Sequence, residues 1–141
     1  MMLKIVPFDS SFVNSIETDF EFPESMRAAF NNSNQVVGYA VMGDSEVIAV
    51  GGIHEMWDGV GEGWVVLSKH APSWRLSLAR YARTLFSSIL ETTDLHRVQA
   101  SIHVGNPGAI KFAEWMGFEN EGIMFKFGPD GSDYYRMARV M

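Results

Sequence analysis

NPGAIKFAEWMGFENEG, residues 106–122, carries the marks of a short helix with both ends specified. Asn106 stands where a side-chain oxygen can accept a hydrogen bond from an amide of the first turn. Pro107 follows at the first helical position, where a missing N–H costs nothing. Gly117 stops the helix at a point that calls for left-handed backbone, and Phe118 turns back toward the core. The spacing therefore predicts a capped amphipathic helix over residues 107–116.

Working outward, RVQASIHV (97–104) alternates apolar and polar residues as a strand does, and FENEGIMFKF, GPDGSD and YYRMARVM (118–141) read as a closing hairpin around a turn. Upstream, residues 73–91 form the longest helix, with Trp74, Leu78, Tyr81, Leu85 and Ile89 at helical spacing and Arg75, Arg80, Arg83 and Glu91 on other faces. GWVVLS (63–68) is apolar almost throughout, the pattern of a central strand, and WDGVGEG before it reads as loop. QVVGYAVM (35–42) and VIAVGGIHEM (47–56) flank GDSE as a hairpin. LKIVPF (3–8) is a short strand that Pro7 ends or places at an edge, because proline has no ladder donor. Residues 9–19 and 23–31 are expected to form two short helices, the first capped by Asp9, Ser10 or Ser11 and the second opened by Pro23. The order is strand, two helices, three strands, helix, strand, helix, two strands. No repeat, linker or low-complexity tract interrupts it, so residues 1–141 are expected to be one domain.

Composition narrows the function classes. The chain has 141 residues, 47% of them hydrophobic, and a formal net charge of −6, which argues against nucleic-acid binding. A domain of this size buries roughly 70% of its unfolded surface and needs no disulfide or metal. Zero cysteines exclude disulfides, thiolate metal sites and a cysteine nucleophile. The opening MMLKIVPFDS has no charged leader followed by a long apolar run, and no stretch approaches the ~20 apolar residues of a membrane span, so a soluble cytoplasmic protein is expected. Charge is uneven: −7 over residues 1–60 and +1 over the remainder. That asymmetry fits either a cationic partner for the first half or solvated acidic loops.

The element order and the opening stretch together resemble the GNAT superfamily of acyl-CoA N-acyltransferases. In that family the corresponding helix reads Asn-x-x-Ala-Ile-x-(Leu/Phe)-Tyr-x-x-x-Gly-Phe-x-x-x-Gly, and Asn106, Ala109, Ile110, Phe112, Gly117, Phe118 and Gly122 match it. HRVQASIH and the ending DYYRM are similar as well. The resemblance implies an α/β (α+β) fold: a mixed, mostly antiparallel sheet of six to seven strands, splayed between strands four and five, with about four helices on both faces.

It also implies a reaction, the transfer of an acetyl group from acetyl-CoA to an amine of a small molecule or a protein. The pantetheine arm would lie along strand four at Val65, Val66, Leu67 and Ser68, held also by Asn106, Ala109 and Phe112. The diphosphate would sit at the N-terminus of the long helix, where free amides and the helix dipole favour anions. The family's glycine-rich diphosphate loop is replaced here by SKHAPSWRLSLARYAR. Binding would then rest on His70, Ser73, Trp74, Arg75, Leu76 and Ser77, with Lys69 as a further charge partner.

Deprotonating an ammonium needs a carboxylate or imidazole within reach. Glu62 resembles the family's usual base, with His54, Glu55 and His103 as further candidates. The family's tyrosine position, after Phe112, is Ala113, so Tyr134, Tyr135 or a water would protonate the leaving thiolate. Glu62, His103 and Tyr134 are thus the expected catalytic residues, and no metal is expected. Of the four tryptophans, Trp64 and Trp115 are expected in the core and Trp57 as an acceptor-site lid. The family often pairs through its last strands, which implies a homodimer here. A looser resemblance, resting on EGWVVLS and WRLS, is to compact phage-encoded GNAT-like proteins. It implies the alternative of a non-catalytic protein acting by contacts in virion assembly or host interference.

Overall fold

The structure, a computed structural model, describes residues 3–7, 35–69, 71 and 75–141. The two helices expected over 9–19 and 23–31 lie outside these residues, as do His70, Ser73 and Trp74. The described elements are β1 (Leu3–Pro7), β2 (Gln35–Gly43), β3 (Glu46–Trp57), β4 (Val60–Leu67), α1 (Arg75–Thr92), β5 (Arg97–His103), α2 (Pro107–Trp115), β6 (Glu119–Met124) and β7 (Tyr134–Val140).

The strands form one sheet in the order β1-β2-β3-β4-β5-β7-β6. Every neighbouring pair is antiparallel except β4 and β5, which run parallel. Pro7 lies on the edge strand, where its missing donor is harmless, and the apolar β4 is central. Asp44 and Ser45 both take positive φ, 50° and 70°, as a two-residue hairpin turn between β2 and β3 requires.

The stretch expected as a WDGVGEG loop is mostly strand. Trp57 pairs with Val60, and Gly59 at φ 83° closes the turn, so β4 begins three residues earlier than its apolar run suggests. This shift places Gly61 and Glu62 inside the sheet rather than ahead of it.

The core lies between one face of the sheet and both described helices. Ile53, Val98 and Met137 from the sheet meet Phe86 and Ile89 of α1, Ala113 of α2, and Met116 and Phe118 just beyond α2. The Phe86 and Phe118 rings stand 5.5 Å apart. A second cluster joins Leu3, Val41, Ile48 and Ala49 to Ala71 and Leu78.

Trp64 is buried as expected, but Trp115 is not: it is 48% exposed. The Arg83 guanidinium covers its ring at 4.4 Å, which shelters the indole without a place in the core. Trp57, at the end of β3, is exposed. Among the described residues no helix is long and apolar enough to cross a membrane.

Candidate active site

The parallel pairing of β4 with β5 lasts for three rungs, Val60 with Arg97, Gly61 with Val98 and Glu62 with Gln99, and then stops. Beyond that point each strand keeps only its outer neighbour. Leu67 still pairs with Ala49 of β3, and His103 with Tyr134 of β7. Gly63–Leu67 and Ala100–His103 are therefore the two arms of a V that no longer pair with each other. This is the expected splay.

Because the strands are parallel and paired at their N-terminal ends, the V opens toward their C-terminal ends. Both α1 and α2 begin there, with the positive ends of their dipoles at its mouth. On the face they share with Gly63 and Ile53, Val65 and Leu67 are about half exposed, while Val66 and Ser68 alternate to the other face and are buried. The Ser68 amide bonds to the Ile48 carbonyl of β3 at 2.8 Å, so it faces away from the V. Leu76 and Ser77 are exposed in the first turn of α1, which begins at Arg75.

Asn106 caps α2 as expected: its Oδ1 accepts from the Ala109 amide at 3.1 Å. At the other end Gly117 has φ 91°, and the Phe118 amide returns to the Ala113 carbonyl at 2.9 Å. Phe112 packs against the core, and Ala113 is buried within it beside Phe86 and Phe118. The position where the resembling family carries tyrosine is thus filled by a methyl group.

On the opposite face Trp64 and Val66 are buried, and a polar network gathers around Glu62. Glu62 Oε1 accepts from the Ser101 hydroxyl at 3.1 Å and from Arg136 at 3.2 Å. Oε2 accepts from the Gln99 amide at 3.1 Å and from Arg136 at 3.1 Å. Gln99 in turn accepts from Arg97 Nε at 3.0 Å, and Arg97 makes a two-pronged pair with Glu121 at 3.0 and 2.6 Å. The chain of contacts runs from the edge strand β6 to the centre of the sheet. The bond from Arg97 holds the Glu121 carboxyl below the usual glutamate range, and Glu121 raises Arg97.

His103 and Tyr134 form a separate pair. Their rings meet edge to face at 5.3 Å, and Phe127 lies 5.4 Å from Tyr134. The Gly105 amide donates to His103 Nδ1 at 2.9 Å, so in the neutral ring the proton belongs on Nε2. Burial, and then the Asp130 carboxylate, raise the Tyr134 phenol, which keeps it a hydrogen-bond donor.

All three expected catalytic residues share this face, but they do not form one cluster. Glu62 is level with Gln99, and His103 is four residues further along β5, about 13 Å at the rise of a strand. The partners of Glu62 were missed in the sequence reading. Gln99 and Ser101 show only as the polar half of an alternating strand, and Arg136 stands 74 residues from Glu62 with no local signal. His54 lies directly across from Glu62 in the β3–β4 register, and its Nδ1 is buried without a hydrogen-bond partner. A groove of about 540 Å³ lined by Arg80, Arg83, Ser87 and Trp115 lies along α1, built from other residues than the V.

Comparison with protein-family models and with curated protein sequences finds no match. Solved structures match over nearly the whole chain. A GNAT-family acetyltransferase from Streptococcus pneumoniae is 19% identical with a TM-score of 0.74, each chain covered to 99%. The ribosomal-protein-S18-alanine N-acetyltransferase from Escherichia coli is 17% identical with a TM-score of 0.75, covering 99% of this chain and 94% of its own. A spermidine N-acetyltransferase chimera from Vibrio cholerae and hSSAT is 14% identical with a TM-score of 0.75, covering 98% of this chain and 95% of its own. With the splayed parallel pair at the centre of a seven-stranded sheet, these likenesses identify the architecture: the chain has the GNAT fold.

Proposed function

We propose that the protein is an N-acetyltransferase that moves an acetyl group from acetyl-CoA to an amine. The observation that carries this reading is the early end of the β4–β5 pairing, after Glu62 and Gln99. Two strand arms that part from each other, with Val65 and Leu67 exposed beside them and two helix N-termini at the mouth, suit a long ligand with an amide-bearing arm and an anionic head. The residues fit acetyl-CoA in that respect: Gly63–Leu67 would bond the arm as a further strand, and amides at the start of α1 would meet the diphosphate. At the root of the V a Cβ on Gly63 would meet the Val98 side chain at 3.4 Å, so a longer side chain there would crowd the point where the arms part.

The acceptor would approach from the polar face. The charge of −7 over residues 1–60 favours a cationic amine, either a polyamine or a basic protein terminus. Such an enzyme would work where acetyl-CoA is made and used, in the cytoplasm.

Calorimetric titration of acetyl-CoA into the wild type and Gly63→Leu tests the reading. Micromolar binding that the leucine weakens by tenfold or more supports it. No heat and no thermal shift at millimolar acetyl-CoA sinks it.

A further inference from the structure

Glu62 is the residue the resemblance marks as proton acceptor, yet both oxygens of its carboxylate are already held by donors from β5 and β7. An ionised carboxylate offers about four acceptor positions. Ser101 donates to Oε1, Gln99 to Oε2, and a single nitrogen of Arg136, Nη1, bridges the two. The donors come from β5 and β7, so the carboxylate fastens β4 to both at the last rung before the V opens. Accepting a proton would break one of these bonds and strip Arg136 of its counter-charge.

His54 offers what Glu62 lacks. The two residues face each other across β3 and β4, which puts their Cβ atoms about 5 Å apart on the same face. Its Nδ1 is the one buried side-chain nitrogen or oxygen among the described residues that has no hydrogen-bond partner. Buried polar atoms are nearly always satisfied, so an exception marks a place for a ligand, a water or a proton.

We propose that His54 is the proton acceptor of the transfer and that Glu62 is a positioning residue that holds the apex of the V. This rests on the acetyl-transfer reading above. The acceptor's ammonium gives one proton to the imidazole. The freed nitrogen pair forms the C–N bond to the acetyl carbon as the C–S bond breaks with its electrons left on sulfur. The surplus proton on nitrogen passes to that sulfur, giving the amide and the free thiol, and His54 returns its own proton to solvent.

The test follows thiol release from acetyl-CoA with spermidine as the probe amine. His54→Gln is expected to lower kcat about 100-fold with little change in the KM for acetyl-CoA, and added imidazole to restore much of the rate of His54→Ala. Glu62→Ala is expected to melt earlier and bind acetyl-CoA more weakly, with no recovery in formate. A His54→Gln enzyme within threefold of wild type, or formate rescue of Glu62→Ala, overturns the assignment. A second readout needs no turnover: in protein labelled at its histidine ring nitrogens, the His54 Nδ1 resonance shifts when spermidine is added with CoA. A shift without any thiol release sinks the transfer reading but leaves His54 as the amine's partner, and an unmoved resonance removes that role too.

Discussion

Arg136 and Met137 are consecutive residues of β7 with opposite surroundings. Met137 is fully buried on the helix-covered face, among Phe86, Val98, Ala113 and Phe118. Arg136 points to the other face and holds the Glu62 carboxylate through both oxygens. β5 repeats the division: Val98, Ala100 and Ile102 pack toward the helices, while Gln99, Ser101 and His103 belong to the polar face. A period of two lets one strand carry the core on one side and a hydrogen-bonded network on the other. The core side admits Arg139 only with its guanidinium over the Phe86 ring and bonded to the Met116 carbonyl, and the network side depends on every donor finding its acceptor.

Substitutions at these adjacent positions separate the two roles. Met137→Ala removes a fully buried side chain, and its expected cost is about 3 kcal/mol in urea unfolding. Arg136→Met keeps most of the volume but leaves a partly buried carboxylate without its cation. With Arg136 and Glu62 each about one-fifth exposed, that cost is about 2 kcal/mol. Met137→Ala should leave acetyl-CoA affinity within a few-fold of wild type, whereas Arg136→Met should weaken it along with stability, because the apex of the V loses a fastening. If Arg136→Met were the neutral substitution, the polar face would be an ordinary solvated surface and the division between faces would fail.

How much of this was legible in the sequence follows the range of the interactions. The ends of α2 were readable because Asn106, Pro107 and Gly117 act within a few residues of themselves. The core face of β5 was readable from alternation. The start of β4 was not, because three glycines in seven residues look like a loop. Only the pairing of Trp57 with Val60 shows that Gly59 turns the chain and Gly61 continues the strand. The Glu62 network was illegible for a different reason: Gln99, Ser101 and Arg136 reach it from strands 37, 39 and 74 residues away. Trp115 misled because a cation sheltering an exposed ring leaves no trace in helical spacing.

Asn106→Ala probes the local device that was read correctly. Losing the bond to the Ala109 amide is expected to cost about 1 kcal/mol in thermal unfolding, and Asn106→Asp to recover most of it. A ligand arm held by the side-chain amide would then show as weaker acetyl-CoA binding in both variants, since aspartate restores the cap but not the amide donor. Equal affinity in the aspartate variant and the wild type would confine Asn106 to its structural role.

The smallest expected effect lies at the outer end of the polar network, where Arg97 meets Glu121 on the edge strand. Arg97 stabilises the ionised form of Glu121, so the folded state binds this proton less readily than the unfolded chain does. The contribution is therefore complete above the ordinary glutamate value of 4.5 and is lost as the pH falls below it toward the lowered folded value. Arg97 stays charged throughout and adds no slope of its own. The pair is largely solvated, so about 0.5 kcal/mol is expected, and molar salt should screen part of it. Thermal unfolding of wild type and Glu121→Gln checks this: the gap between them at pH 7 should shrink by pH 3, whereas a gap that widens on acidification would mean the bond stabilises the protonated carboxyl. Whatever its size, the sign separates this solvated contact from the four-bond hold on Glu62 to which Gln99 links it.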